Sequence, residues 1–272
     1  MKSKDTIGFR NLATLIALAV SAAGATPASA ANAANPAKVT KSAAAAPAAK
    51  PAAGQVIWNN WYTVTLNGKT PYAYYNERLS IKDGKLHYQN DVWKKEEDFI
   101  NRESFGGFAE NNSTYTPIFY NFFSTYRTSE TKIDGTVGAD NVLSLKIRKD
   151  GKDLPVVKKH LPKGVFFSTY FPLWLRDNVA DMKPGQPRSF STILEDSIDT
   201  GFKVESGHAR VEAPDEFAKK TGTKRVAVQY RDMPSIWWTD DKGNYVRMEM
   251  GRGVSAAELV PEAKAKKFLD TK

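Results

Sequence analysis

Short runs rich in Val, Ile, Thr and aromatic residues, separated again and again by Asn-Gly or Asp-Gly pairs, limit this chain to a narrow set of folds. Trp61-Tyr62-Thr63-Val64-Thr65-Leu66 is one such run, and Asn67-Gly68 follows it directly. The two central residues of a tight hairpin turn need positive φ, which Asn, Asp and Gly accept at least cost. A second strand is predicted over Tyr72 to Ile81, and Asp83-Gly84 turns it into Lys85 to Trp93. Asp134-Gly135 is expected to divide a strand at Thr128 to Ile133 from one at Val142 to Arg148, with Asp150-Gly151 closing the latter. Later strands are predicted at Ser189 to Leu194, Phe202 to Glu212 and Lys224 to Tyr230. A last hairpin, Ile236 to Thr239 with Tyr245 to Met250, turns around Asp241-Lys242-Gly243-Asn244.

Nearly all of these connections are too short for a helical crossover, so neighbouring strands must pair antiparallel. A doubly wound nucleotide-binding fold is disfavoured on that ground, and the pattern predicts a mainly β meander. Helix is expected in two places only. One is a turn or two at Phe171 to Asn178; the other is a charged segment from Ser255 to Leu269, broken by Pro261. Ser255-Ala256-Ala257-Glu258 has the spacing of a capping box, in which serine and glutamate satisfy the first amides of a helix.

The ends of the chain read differently from its middle. Lys2, Lys4 and Arg10 precede an apolar run from Leu12 to Gly24, and Ala28-Ser29-Ala30 supplies small residues for cleavage. That is the form of a secretory signal over residues 1–30, with the mature chain starting near Ala31 and the product released to a periplasm or beyond. The apolar run is shorter than the roughly 20 residues a spanning helix needs. Residues 31–54 are mostly alanine with Pro36, Pro47, Pro51, Lys38, Lys41 and Lys50, a composition that suits a flexible tether. The β domain is expected over 55–254, and a helical tail over 255–272. Of the formal charge of +9, the signal carries +2 and the tether +3, leaving +4 on the folded part. Such a balance does not point to nucleic acid, but leaves peripheral contact with an anionic membrane open.

Chemistry-bearing motifs are sparse. There is no cysteine, so disulfides, thiolate metal sites and cysteine nucleophiles are excluded. The glycine-flanked serine elbow, the zinc-binding helix and the phosphate-cradling loop are absent as well. Ser104 or Ser168 with His87, His160 or His208 is the nearest approach to a hydrolase, but nothing in their spacing sets a base against a nucleophile. Glu195, Asp196 and Asp199 lack the ordered spacing of a calcium loop. No catalytic residue, metal or cofactor is therefore assigned. Trp237 and Trp238 must point to opposite faces of a strand, so one belongs to the core and the other to the outside or a covering helix.

Two aromatic stretches remain. In Pro117 to Tyr126, Ile118, Tyr120, Phe122 and Tyr126 share one face, and Phe119 and Phe123 the other. Apolar groups on both faces of a strand need cover on both, or line a cavity. Val165-Phe166-Phe167-Ser168-Thr169-Tyr170-Phe171-Pro172-Leu173-Trp174-Leu175 falls where a loop or short helix is expected, and a segment this apolar should pack down as a lid.

The order of pieces also carries a resemblance. Trp61-Tyr62-x-Val64-x-Leu66-Asn67-Gly68, Pro117, Asp134-Gly135, Leu161-Pro162-x-Gly164-Val165, Lys183-Pro184-Gly185 and the hairpin from Trp238 to Arg247 resemble bacterial periplasmic β-rich domains of unknown function. Some of these accompany transglutaminase-like domains, and their shape is similar to the half-barrels of lipoprotein carriers such as LolA and LolB. The resemblance spans residues 58–251 and implies a strongly curved antiparallel sheet, a half-barrel partly closed by a short helix or loop over an apolar concavity. It carries no catalytic residue onto this chain.

The leading functional reading is a non-enzymatic binding or carrier protein that holds an acyl or lipid-like ligand, or a lipidated partner. Phe119, Tyr120, Phe122, Phe123, Phe166, Phe167, Phe171 and Trp174 would be its lining and lid. The alternative is a structural or interaction domain of the cell envelope whose rings are simply core. An envelope hydrolase stands third.

Overall fold

The computed structural model describes residues 54–270 except 97–98, 196–200 and 231–232. The expected export signal, 1–30, and all but Gly54 of the expected tether lie outside the described residues. The first seven strands, β1 to β7, are Gln55–Leu66, Thr70–Lys82, Lys85–Glu96, Phe99–Glu110, Pro117–Tyr126, Ser129–Val137 and Val142–Lys149. Two short strands, β8 (Lys152–Asp153) and β9 (Val157–His160), both pair with β7. β10 (Phe166–Phe167) leads through the 3-10 turn Ser168–Tyr170 into helix α1 (Phe171–Val179). β11 (Arg188–Ile193) and β12 (Val204–Glu212) follow, then helix α2 (Glu216–Thr221) and β13 (Lys224–Tyr230). The chain ends with β14 (Met233–Thr239), β15 (Tyr245–Met250), β16 (Ser255–Val260), helix α3 (Glu262–Lys266) and the turn Phe268–Asp270.

All of these strands form one large curved sheet that is not closed. β1 to β7 make one antiparallel meander and β11 to β16 another, and the two join where β16 pairs antiparallel with β1. The turn pairs act as the sequence requires at three places, with positive φ at Asn67 and Gly68, Asp83 and Gly84, and Asp150 and Gly151. The segment from Val157 to Phe167 crosses between the two edges: β9 lies on β7, and β10 pairs parallel with β11. Lys159 Nζ donates to the Gly201 carbonyl at 3.0 Å, so the edges approach without sharing a ladder. Among the described residues no helix is long and apolar enough to cross a membrane.

Four expectations change. Asp134-Gly135 is not a turn but lies inside β6, where Gly135 faces Tyr120 and Leu145 across the ladders. A Cβ on Gly135 would sit 2.9 Å from Leu145 Cδ2, so this glycine makes room for packing instead of supplying positive φ. The turn comes later, at Gly138 to Asn141, where Asn141 takes φ +59°. Ser255 to Glu258 is strand, not the start of a helix: pairing of Ser255–Val260 with both β1 and β15 overrides the local capping signal, and helix begins only after Pro261. The sheet therefore runs to Val260, and 255–272 is not a purely helical tail. His208 lies within β12 opposite Gln229, in the strand expected there; the third change is helix α2, which stands where no helix was expected. The fourth change is β4, which stands where no strand was assigned.

The concave face holds the core. Tyr62, Val64, Tyr75, Leu79, Leu86, Tyr88, Val92, Phe105, Tyr120, Phe122, Ile133, Leu145, Val226, Val228, Trp237 and Met248 are all buried there. Against them lies the stretch from Val165 to Leu175, buried throughout, which confirms its expected role as a covering element. It reaches strands far apart in the sheet order: Phe167 meets Tyr120 of β5, Tyr170 meets Tyr88 of β3, and Phe171 meets Phe190 of β11 and Trp237 of β14. A flat sheet would not bring those strands to one short segment.

Candidate functional site

The eight aromatic residues divide between two faces. Tyr120, Phe122, Phe166, Phe167, Phe171 and Trp174 are buried in the concave core. Phe171 lies 4.7 Å from Phe190, 5.2 Å from Trp237 and 5.7 Å from Trp174 between ring centroids, and Trp174 lies 5.0 Å from Phe190. Phe119 and Phe123 point the other way. Phe119 pairs with Phe108, whose ring stacks on His87 at 4.4 Å, and Lys132 Nζ sits 5.4 Å over the Phe123 ring. A single hollow cannot be lined by all eight, because side chains at odd and even positions of β5 leave on opposite sides.

Polar contacts fix the covering segment. Glu195 is buried and accepts from Ser168 N at 2.9 Å and Ser168 Oγ at 3.0 Å, and from Thr169 N at 3.2 Å and Thr169 Oγ1 at 3.0 Å. Its carboxylate thus satisfies amides just ahead of α1, which lack partners within the helix. The Tyr170 hydroxyl is within hydrogen-bond reach of the Leu86 and Gly107 carbonyls, at 3.2 and 3.0 Å. Farther along, Tyr115 OH donates to Asp177 at 2.9 Å, and Arg176 lies 5.6 Å over the Trp58 ring.

Beneath this segment lies a cluster that sequence reasoning missed. Glu77 on β2 is 1% exposed and receives hydrogen bonds from Tyr88 at 2.8 Å and Tyr245 at 3.1 Å. With the carboxylate ionised, Tyr88 and Tyr245 both donate to it, so Tyr75 OH donates to Tyr245 OH at 3.2 Å. Tyr62 stacks between Tyr75 and Tyr245 at 4.8 and 4.6 Å, and its hydroxyl donates to the Tyr245 carbonyl at 3.2 Å. Burial pushes the Glu77 carboxyl up to about 7, against the opposing pull of the two tyrosine hydrogen bonds. Burial raises all four tyrosines well above their usual range, and the Glu77 charge adds to it. The cage can hold or release one proton near neutrality. Its members lie at 62, 75, 77, 88 and 245, and only the register of β1, β2, β3 and β15 unites them.

Ser104, Ser168 and His87 have structural partners. Ser104 Oγ donates to Asp91 at 2.5 Å, and Ser168 belongs to Glu195. Burial, then the charges of Lys82 and Arg78, hold the His87 imidazole below its ordinary value. Asp196 and Asp199 lie outside the described residues, and among the described residues no group of three or more His, Asp or Glu is placed to hold a metal ion. Trp237 faces the core and Trp238 the outside, where Phe217 of α2 packs on it edge-on at 5.4 Å, as alternation requires. Trp61, Tyr74 and Trp93 form an outer stack capped by Lys266 at one end and Arg102 at the other, so their ring faces are covered. An open depression of about 390 Å³ over β11 to β13 is lined by Ser189, Phe190, Ser191, Ser206, Gly207, His208 and Gln229. It contains none of the eight predicted lining residues.

A mainly β, barrel-like domain with its concave face filled by its own chain is the class that this fold and site define. A solved structure shares that fold: a beta-barrel-like protein of a domain of unknown function, DUF1849, from Brucella abortus, is 13% identical and has a TM-score of 0.50. The match covers 76% of this chain and 98% of that one, and at this identity it is a likeness of fold. No protein-family model matches the chain. No curated protein matches it either.

Proposed function

We propose that this chain is an exported, non-enzymatic interaction domain of a bacterial envelope, a curved-sheet scaffold whose interior is filled by its own aromatic segment. The observation that carries this reading is Phe171, locked among Phe190, Trp237 and Trp174. Rings at these separations are packed as a protein interior is packed, and an apolar guest would have to replace contacts already made. Native mass spectrometry of protein purified from an envelope fraction tests it. The expected mass is that of the polypeptide alone; a stoichiometric copurifying lipid overturns the reading.

One observation favours a second reading, a carrier of an acyl chain or lipidated partner. The nine-residue helix α1 covers part of the aromatic concave face, and its withdrawal would open a trough lined by Phe190 and Trp237. The same spectrum separates the two, since a carrier retains bound lipid and loses it on extraction with organic solvent.

A further inference from the structure

The positive charge of the folded part is gathered at one corner of the sheet. Residues 142–163 hold seven Lys or Arg against two Asp, a net +5, while residues 55–272 as a whole carry only +4. The two acids are engaged: Asp153 pairs with Arg148 at 2.7 Å, and Asp150 accepts from the Glu130 amide at 2.8 Å. Lys149 and Lys152 stand directly opposite each other in the β7–β8 ladder, a like-charge juxtaposition that an anion would relieve. Lys146, Lys158 and Lys163 are exposed nearby in the chain.

Set within these lysines is an apolar tip. Leu154, Pro155 and Val156 join β8 to β9, and Leu154 is 37% and Val156 54% exposed. The Leu154 amide donates to the Ile147 carbonyl at 2.8 Å, which anchors the tip to the edge of the sheet. Neither side chain has a place in the core. A soluble polyanion would engage the lysines and leave Leu154 and Val156 in water. A bilayer surface offers both anionic headgroups and an apolar layer beneath them.

We propose that the β7–β9 corner docks on an anionic phospholipid bilayer, with Lys149, Lys152 and Lys158 at the headgroups and the Leu154-Pro155-Val156 tip inserted between them. This goes beyond the scaffold reading and stands whether the interior holds lipid or not.

Cosedimentation of the mature chain with phosphatidylcholine vesicles, with and without a quarter phosphatidylglycerol, tests the docking. Binding is expected only with phosphatidylglycerol and should weaken by at least about fivefold for each lysine reversed. The variant Lys149→Glu/Lys152→Glu/Lys158→Glu should therefore lose it, as should about 0.5 M salt. Val156→Ser should weaken vesicle binding several-fold while leaving retention on a heparin column unchanged. Equal binding to both vesicle types overturns the proposal, as does undiminished binding by the lysine variant. A Val156→Ser variant that binds vesicles like the parent also overturns it, and reassigns the corner to a soluble polyanion. If the triple variant does not fold, Lys152→Glu and Lys158→Glu singly provide the same comparison.

Discussion

The Glu77 carboxylate lies 2.8 Å from the Tyr88 hydroxyl on the neighbouring strand, and both residues are shut away from solvent. That contact stabilises the ionised acid, yet burial outweighs it and leaves the folded-state pKa at about 7 against an ordinary value of 4.5. The folded protein therefore holds a proton that the unfolded chain releases at lower pH. Stability from this group is full below about 4.5 and is lost as pH rises through about 7, in total on the order of 3 kcal/mol. Glu77→Gln removes the titration. In urea unfolding at about pH 5 and pH 8, the variant should gain on the parent toward the higher pH. A constant difference between the two would show that Glu77 does not titrate in this window.

Phe171 and Phe123 offer a contrast between a ring inside the core and one on the outer face. Phe171 is 3% exposed among three aromatic neighbours, whereas Phe123 is half-buried beneath Lys132. Phe171→Ala should cost about 3–5 kcal/mol, and Phe123→Ala about 1 kcal/mol. Denaturant midpoints of the two variants measure this directly. Equal losses would mean that α1 does not hold the interior together.

Glu195 gathers four donors from Ser168 and Thr169 just ahead of α1. Glu195→Ala leaves buried amides and hydroxyls without that acceptor, at a cost of about 3 kcal/mol. Its effect should concentrate in the covering segment. Hydrogen exchange should speed up for α1 amides well before those of β1 and β2; uniform acceleration across the sheet would contradict this role.

Much of the sheet was legible because its signals are local. Asn67-Gly68 predicts its turn correctly, since the conformation of two residues decides it. Trp237 and Trp238 divide between faces as strict alternation demands. The misreadings have nonlocal causes. Gly135 looks like a turn glycine until Leu145 and Tyr120 are seen against it, and Ser255 looks like a cap until β1, almost 190 residues earlier, pairs with its strand. The candidate site is less legible. Parity separates Phe119 and Phe123 from Tyr120 and Phe122, but which rings the covering segment reaches depends on the curvature of the whole sheet. The Glu77 cage gave no sequence signal, because Tyr62, Tyr75, Tyr88 and Tyr245 are ordinary strand residues until the register assembles them.

Gly243 and Gly185 separate the cost of backbone strain from the cost of contact. Both have positive φ, +82° and +78°, so a Cβ is disfavoured at each. Around Gly185 nothing lies within 4 Å of an added Cβ, whereas at Gly243 it would sit 2.6 Å from the Arg176 carbonyl oxygen and 2.8 Å from Arg176 Cα. Gly185→Ala should therefore cost only the left-handed strain of about 1 kcal/mol. Gly243→Ala must also push the β14–β15 turn away from α1, and should cost at least about 2 kcal/mol more. Thermal melts of the two variants provide the comparison. Because Arg176 also lies over Trp58, the Gly243 variant should additionally change tryptophan fluorescence in the native state, while the Gly185 variant should not. If both melt alike, the Gly243 turn does not bear on the helix, and α1 is held by its rings, by Glu195 and by the Tyr115–Asp177 and Arg176–Trp58 contacts.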